Sequence, residues 1–275
     1  MDKIIIVIPI YKATPDRDEK ISFNQCLRIL FKYPISIVTF PELDISYYTK
    51  LLTTRGVEYS ILYFPQTSFV NLSTYNELML SVDFYNKFKF YKYMLIYQLD
   101  CYVFRDELES WCNKGYDYIG APWFTENNSH EEGGTLWAVG NGGFSLRKIS
   151  TFRNLFNSTK NVYSLKYLLK KLKREKKNFL WFLRSYFFGY QNTFQYLVDD
   201  WNDAEDLFYC LKLADTNLKL TVPALDEAIE FAFEQSPSFL FQQNKNKLPF
   251  GCHAWNRYET ESFWSRFIDL NSHEG

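Results

Sequence analysis

Three stretches of this chain carry side chains able to do chemistry. The first is Tyr93-Met94-Leu95-Ile96-Tyr97-Gln98-Leu99-Asp100, an apolar strand-like run that ends on an acid. Such a run delivers Asp100 to the carboxyl edge of a sheet, where open α/β folds bind their ligands. A carboxylate there either caps its own loop or shares Mg²⁺ or Mn²⁺ with a diphosphate. The second is Ala204-Glu205-Asp206-Leu207-Phe208-Tyr209, preceded by Asp199, Asp200 and Asp203. Acids ahead of an apolar helical run favour the helix N-terminus electrostatically, and one of them could also take a proton from a hydroxyl group as general base. The third is Leu248-Pro249-Phe250-Gly251-Cys252-His253-Ala254-Trp255. His253, one of three histidines with His130 and His273, is either satisfied by hydrogen bonds in a tight segment or completes an oxygen-rich metal site. Nothing marks a companion base for Cys252, so a thiol nucleophile is not indicated.

A fourth stretch, Val139-Gly140-Asn141-Gly142-Gly143-Phe144-Ser145-Leu146-Arg147, has three glycines around an asparagine. Glycines so clustered let a backbone approach a ligand closely, or form a bulged turn.

The elements that must position these residues are legible in outline. Ile4 to Ile10 is a continuous apolar run interrupted only by Pro9, the pattern of a strand buried on both faces of a parallel sheet. Helical spacing over 18–32, a strand over 35–40, a helix around 46–54 and a strand near 59–64 complete a β-α-β-α-β opening. A helix capped at Ser73, with Asn76 and Glu77 following, is expected to run to about Phe88 before the strand that carries Asp100. A polar loop is expected from about 125 to 135. Nine basic residues against the single acid Glu175, interleaved with leucines and aromatic rings, fill the segment from Lys160 to Arg184. Such a segment is either a solvated helix face or a surface for an anionic membrane.

Composition narrows the function classes. Apolar residues at 47% exclude a disordered chain, and the 26 Phe and 21 Tyr suit either an aromatic core or ring-lined sugar surfaces. A net charge of −1 argues against a nucleic-acid partner. Five scattered cysteines without a C-x-x-C pair indicate neither a disulfide framework nor a zinc site, and suit a reducing cytoplasm. The N-terminal apolar run is too short for a signal peptide, and no run reaches the ~18–20 residues of a membrane span. A protein that is soluble, or peripheral on the inner face of the plasma membrane, is the expectation.

Taken in order, YMLIYQLDCYVF, YDYIGAPW, VGNGGFSLR, EDLFY and LPFGCHAW resemble a bacterial family of polysaccharide-locus proteins of unknown function, related to A-type-fold (GT-A) glycosyltransferases. The resemblance spans about residues 75 to 257. It implies an α/β fold with an open, mostly parallel sheet flanked by helices, in one domain over 1–275 with a helical, basic insertion at about 152–200. Gln98-Leu99-Asp100 stands where metal-dependent sugar transferases carry Asp-x-Asp, with glutamine in place of the first acid. Asp100 and His253 are then the expected ligands of Mn²⁺ or Mg²⁺.

The Gly-Asn-Gly-Gly-Phe-Ser run resembles the segment that lies against the donor sugar in β-linking galactosyl and N-acetylhexosaminyl transferases. By the same likeness Glu205-Asp206 is their acidic pair, with Asp206 as base and Glu205 and Trp123 as contacts to donor or acceptor. Pro9, Ile10 and Tyr11 would border the uracil of a UDP-sugar, and Asn76, Gln98, Asn141, Gly142 and Gly143 would complete the donor surface. The activity implied is transfer of a sugar from a sugar nucleotide to a saccharide acceptor, lipid-linked, in capsular or O-antigen polysaccharide synthesis, with inversion. A non-catalytic glycan-binding or scaffold protein is the alternative, because Gln98 removes an anionic ligand.

Overall fold

A computed structural model describes residues 3–125 and 134–270. His130, His273 and most of the expected polar loop therefore lie outside the described residues.

The chain opens with β1 (Ile4–Pro9), α1 (Arg17–Ile29), β2 (Ile35–Thr39), α2 (Ser46–Thr54) and β3 (Tyr59–Tyr63). Every residue of β1 is buried. The two-residue period of a strand divides them: Ile4, Ile6 and Ile8 join Phe23, Cys26 and Leu27 of α1 in one core, and Ile5 and Val7 join a second core on the opposite face. An uninterrupted apolar run is what a strand covered on both faces requires. Asp16 caps α1 by accepting from the Glu19 amide, while the Glu19 carboxylate accepts from the Asp16 amide.

The single helix expected after Ser73 is two helices, α3 (Leu72–Met79) and α4 (Val82–Lys87). Asn71, not Ser73, caps the first through the Thr74 amide, and the Ser81 hydroxyl accepts from the Phe84 amide to start the second. A serine side chain offers the backbone a local partner that competes with the helical ladder, and here it breaks the helix.

The chain continues through β4 (Tyr93–Tyr97), β5 (Tyr102–Val103), α5 (Leu108–Asn113), β6 (Tyr118–Ile119), β7 (Pro122–Phe124), β8 (Leu136–Val139) and β9 (Phe144–Lys148). The main sheet has the order β3-β2-β1-β4-β9-β6. β1 pairs parallel with β2 and β4, and β2 with β3, whereas β9 is antiparallel to both its neighbours. This reversal matters because β9 begins where β4 ends. Tyr97 pairs with Phe144, and the Gln98 amide donates to the Gly143 carbonyl at 3.0 Å. The glycine loop is thereby laid against the loop that carries Gln98 and Asp100.

Beyond β9 come α6 (Ile149–Phe156), α7 (Leu165–Arg174), α8 (Phe179–Phe187), α9 (Phe194–Asp199) and the short α10 (Glu205–Leu207), which widens into a π-helical turn over Phe208–Lys212. These helices cover the second core. The chain ends with α11 (Leu225–Phe231), β10 (Ala232–Phe233), α12 (Pro237–Gln243) and β11 (Gly251–Cys252), and β10-β11-β5 form a small separate sheet. The architecture is α/β, an open and mostly parallel sheet with helices on both faces. No helix among the described residues is long and apolar enough to cross a membrane.

Candidate functional site

The small sheet sets the centre of the site. β11 runs antiparallel to β5 with Cys252 opposite Tyr102, and β10 runs parallel to β11 with Phe233 opposite Cys252. One step past Cys252 is His253, and one step past Phe233 is Glu234; Asp100 lies two residues before Tyr102. Register alone therefore brings an imidazole between two carboxylates. Backbone bonds hold the loops there, from His253 N–H to Phe233 O at 2.9 Å and from Trp255 N–H to Asp100 O at 3.3 Å.

His253 Nε2 is 3.2 Å from Asp100 Oδ1 and 3.3 Å from Gln98 Oε1. Its Nδ1 is 3.0 Å from Glu234 Oε1 and 3.0 Å from Asn141 Nδ2. The carboxylate is the stronger claimant on a proton at Nδ1, so Nδ1–H donates to Glu234. Burial pushes the imidazole's pKa down, but Asp100 and Glu234 outweigh it and lift it to about 10. Asp100 is the mirror image: burial opposes its ionisation, yet His253 and the Arg257 guanidinium, 3.3 Å from Oδ2, hold the carboxyl below the usual range. Apart from its ionic contact with Nε2, Asp100 Oδ1 is buried without a hydrogen-bond partner.

Two oxygens, Asp100 Oδ1 and Gln98 Oε1, thus converge with the imidazole Nε2. This is a donor set suited to Mn²⁺ or Mg²⁺, and Glu234 on the far nitrogen is the kind of partner that orients a ligating histidine. Asp100, Cys101 and His253 also offer three ligand atoms within 4.8 Å of one another. The Cys101 thiol, however, is fully buried and donates to Gly143 O at 3.2 Å, and burial pushes its pKa well up, so it stays protonated and is a poor ligand.

The glycine loop closes the other side. Asn141 has φ 74°, and its Oδ1 accepts from the Phe144 amide at 3.0 Å. A Cβ on Gly143 would overlap the His253 ring, and one on Gly142 would overlap Glu205 Oε1, so close approach rather than turn geometry requires these glycines. The Gly142 N–H also lies close enough to the Asp206 carboxylate to favour its ionised form. Burial holds Asp206 above the usual carboxylate range, and the charge of Glu234 adds to this, while the Leu207 amide at 2.9 Å works against it.

Glu205 departs from its expected role as a donor or acceptor contact. It is 2% exposed, and its Oε1 meets Arg147 Nη2 at 2.7 Å. Arg147 is completely buried and donates also to Ser145 Oγ, Tyr85 Oη and Gly142 O. Burial pushes the Glu205 carboxyl up, and the guanidinium offsets part of that. The carboxylate thus faces a guanidinium inside the protein, which leaves Asp206, only partly buried, as the more accessible acid of this pair.

The other expected residues are dispersed around the centre. Pro9 closes β1 and the Ile10 side chain is 1% exposed, so both could offer only backbone to a ligand, whereas Tyr11 is exposed and lies within electrostatic reach of Asp100 and Arg257. The Trp123 ring lies against Gly140. Asn76 is half-buried on α3, and it is its neighbour Tyr75 whose hydroxyl meets the Gln98 side chain. Glu234, Arg257, Tyr75 and the anchoring role of Arg147 escape the sequence reading. For Glu234 the signal was an acid closing the short apolar run Phe231-Ala232-Phe233, as Asp100 closes its own. Three non-glycine residues with left-handed φ, Asn141, Ser236 at 48° and Ala254 at 50°, occur in the three loops that flank His253, a local cost that the surrounding contacts must support.

Because Arg147 and Glu205 neutralise one another without solvent, Arg147→Met should cost about 3–5 kcal/mol of folding stability by leaving a buried carboxylate unpaired. Adding Glu205→Leu should recover more than half of that loss. Urea denaturation of the single and double variants measures both, and equal losses would show that the pair's charges do not matter.

No curated protein matches the sequence. Among solved structures, the galactosyltransferase LgtC in complex with donor and acceptor sugar analogs is similar at 10% identity and a TM-score of 0.49, over 97% of this chain and 94% of that one. GlyE, a glycosyltransferase of Streptococcus pneumoniae in its apo form, is similar at 10% identity and TM-score 0.48, over 100% of this chain. Core-mannan synthase A from Aspergillus fumigatus, in its Mn/GDP form, is similar at 11% identity and TM-score 0.41, over 56% of this chain. The chain spans 61% of the length of each of the last two. A family profile matches residues 58–253, and the chain accordingly belongs to the family described as protein of unknown function, DUF5672.

Proposed function

We propose that the protein is a glycosyltransferase that moves a sugar from a sugar nucleotide to a saccharide hydroxyl, assisted by Mn²⁺ or Mg²⁺. The observation that carries this reading is the convergence of Asp100 Oδ1, Gln98 Oε1 and His253 Nε2 at the carboxyl edge of the sheet, with Asp206 beside the Gly142 N–H. Transfer needs two things of a protein: stabilisation of a leaving diphosphate and a base for the acceptor hydroxyl. The two halves of this site have the chemistry for one each. Asp100, Gln98 and His253 would hold the ion, which when bound would neutralise charge on the departing diphosphate. Asp206 takes the hydroxyl proton as the acceptor oxygen attacks the anomeric carbon and the bond to the diphosphate breaks. Its burial-raised basicity suits that role. A single displacement of this kind inverts the anomeric centre.

Three finer assignments belong to the same proposal. The donor is a UDP-sugar carrying galactose or an N-acetylhexosamine, supported by the likeness of the Gly-Asn-Gly-Gly-Phe-Ser loop to donor-facing segments. Tyr11 is the part of the β1 end that is exposed enough to meet the base. The acceptor is a growing capsular or O-antigen saccharide, reached from the cytoplasmic side.

Asp206→Asn removes the proton acceptor and little else. Transfer by this variant should fall at least about 100-fold, while the Kd for the donor stays within about twofold. Unchanged transfer would remove Asp206 from the chemistry, and saccharide binding without any nucleotide dependence would mark a glycan-binding protein instead.

Metal binding should be proton-coupled. The folded imidazole binds its proton up to about pH 10, so an ion can reach Nε2 only by displacing that proton. Apparent Mn²⁺ affinity should therefore rise about tenfold per pH unit between about pH 6 and 8, with close to one proton released, as read by calorimetry in buffers of different ionisation enthalpy. Affinity independent of pH, or retained by His253→Ala, would take His253 out of the ion's coordination.

A further inference from the structure

The basic segment that the site leaves unused has a definite surface. Between residues 165 and 190 lie seven of the fourteen large apolar side chains that are exposed among the described residues. They are not the mark of an unpacked region, because Leu168 of α7 and Phe182 of α8 are buried in the second core, and Ser164 and Asn178 cap the two helices. The exposed positions follow helical spacing. Leu165 and Leu169 are four residues apart on α7 and line one shallow hollow with Lys166, Lys170 and Lys173. On α8, Leu180 precedes Phe187 and Phe188 by two turns, with Arg184 between them, and the two rings are 67% and 82% exposed.

Charge separates this hairpin from the rest of the molecule. Residues 160–190 contain nine basic side chains and one acid, so a chain of net charge −1 divides into +8 here and −9 elsewhere. A surface of lysines alone would suit any polyanion. Exposed leucines and phenylalanines among those lysines need a partner that offers hydrocarbon beside phosphate. The boundary between headgroups and acyl chains of an anionic bilayer offers both, and long lysine stems can lie along the apolar stripe with their ammonium groups at the phosphates.

We propose that the α7–α8 hairpin docks the protein on an anionic phospholipid surface, with Leu165, Leu169, Phe187 and Phe188 at the acyl boundary and the lysines of α7 among the headgroups. The surface does not depend on the proposed sugar transfer, and its test reads binding alone. Flotation of the full chain with vesicles of phosphatidylcholine containing about one-third phosphatidylglycerol should show binding that weakens with salt. Lys166→Glu, Lys170→Glu and Lys173→Glu should each lower partitioning by about fivefold or more. Phe187→Ser with Phe188→Ser should lower it at least about tenfold without any change in charge. All these positions are exposed, and circular dichroism checks that the helices persist. Absence of binding by the unaltered protein would overturn the proposal, as would equal binding to pure phosphatidylcholine. Undiminished binding by the Phe variant, with retention on a soluble polyanion such as heparin, would overturn it in favour of a polyanion partner.

Discussion

The site depends on one imidazole held between two carboxylates by the register of three short strands. His253 lies one residue past β11, Glu234 one residue past β10, and Asp100 two residues before β5, so a slip of one residue in either pairing would turn one of these side chains away from the others. Bringing two acids together in a largely buried place is costly unless positive charge stands between them. The proton on His253 supplies that charge here, with Arg257 on the outer oxygen of Asp100. A divalent ion could take over the same electrostatic duty while displacing the proton from Nε2, which is why the residues that hold the imidazolium are also a fitting donor set.

A second, fully buried charge pair connects this centre to Asp206, the proposed base. Arg147 is on β9, Glu205 on α10, Tyr85 on α4 and Gly142 in the glycine loop, and the one guanidinium binds all three partners. Asp206 follows Glu205 directly and lies beside the Gly142 N–H, so its position is tied to two residues that Arg147 anchors. The antiparallel run of β9 is what allows this, since it brings the loop before Phe144 to the end of β4 instead of the opposite edge of the sheet. Gly143 then lies so close to His253, and Gly142 so close to Glu205, that neither position has room for a side chain.

Much of the frame was legible in the sequence, for reasons that also explain what was not. Strands buried on both faces write themselves as unbroken apolar runs, so β1 and β4, and with β4 the position of Asp100, follow from residue types alone. The resemblance directed attention to Asn141, Gly142, Gly143, Asp206 and His253, which the fold brings close together around the glycine loop. Glu234 was hidden because β10 has two residues, too few for any period to show. The burial of Glu205 was hidden because its partner is 58 residues away in sequence, and an acid beside another acid at a helix start looks the same whether it faces water or a guanidinium. Ser81, which divides the helix expected after Ser73, is an ordinary serine until the Phe84 amide is seen to bond to it.

The most direct test of a metal-assisted donor site is the thermal stability of the purified protein with UDP-, GDP-, CMP- and dTDP-sugars, each with Mn²⁺, with Mg²⁺ and with chelator. A ligand that binds the native state at about 100 times its Kd adds about 2.7 kcal/mol, enough to move the midpoint by degrees. Stabilisation by one nucleotide class, present with a divalent ion and gone with chelator, is the predicted result. No shift with any nucleotide sugar in the presence of either ion would contradict the donor site built on Asp100, Gln98 and His253.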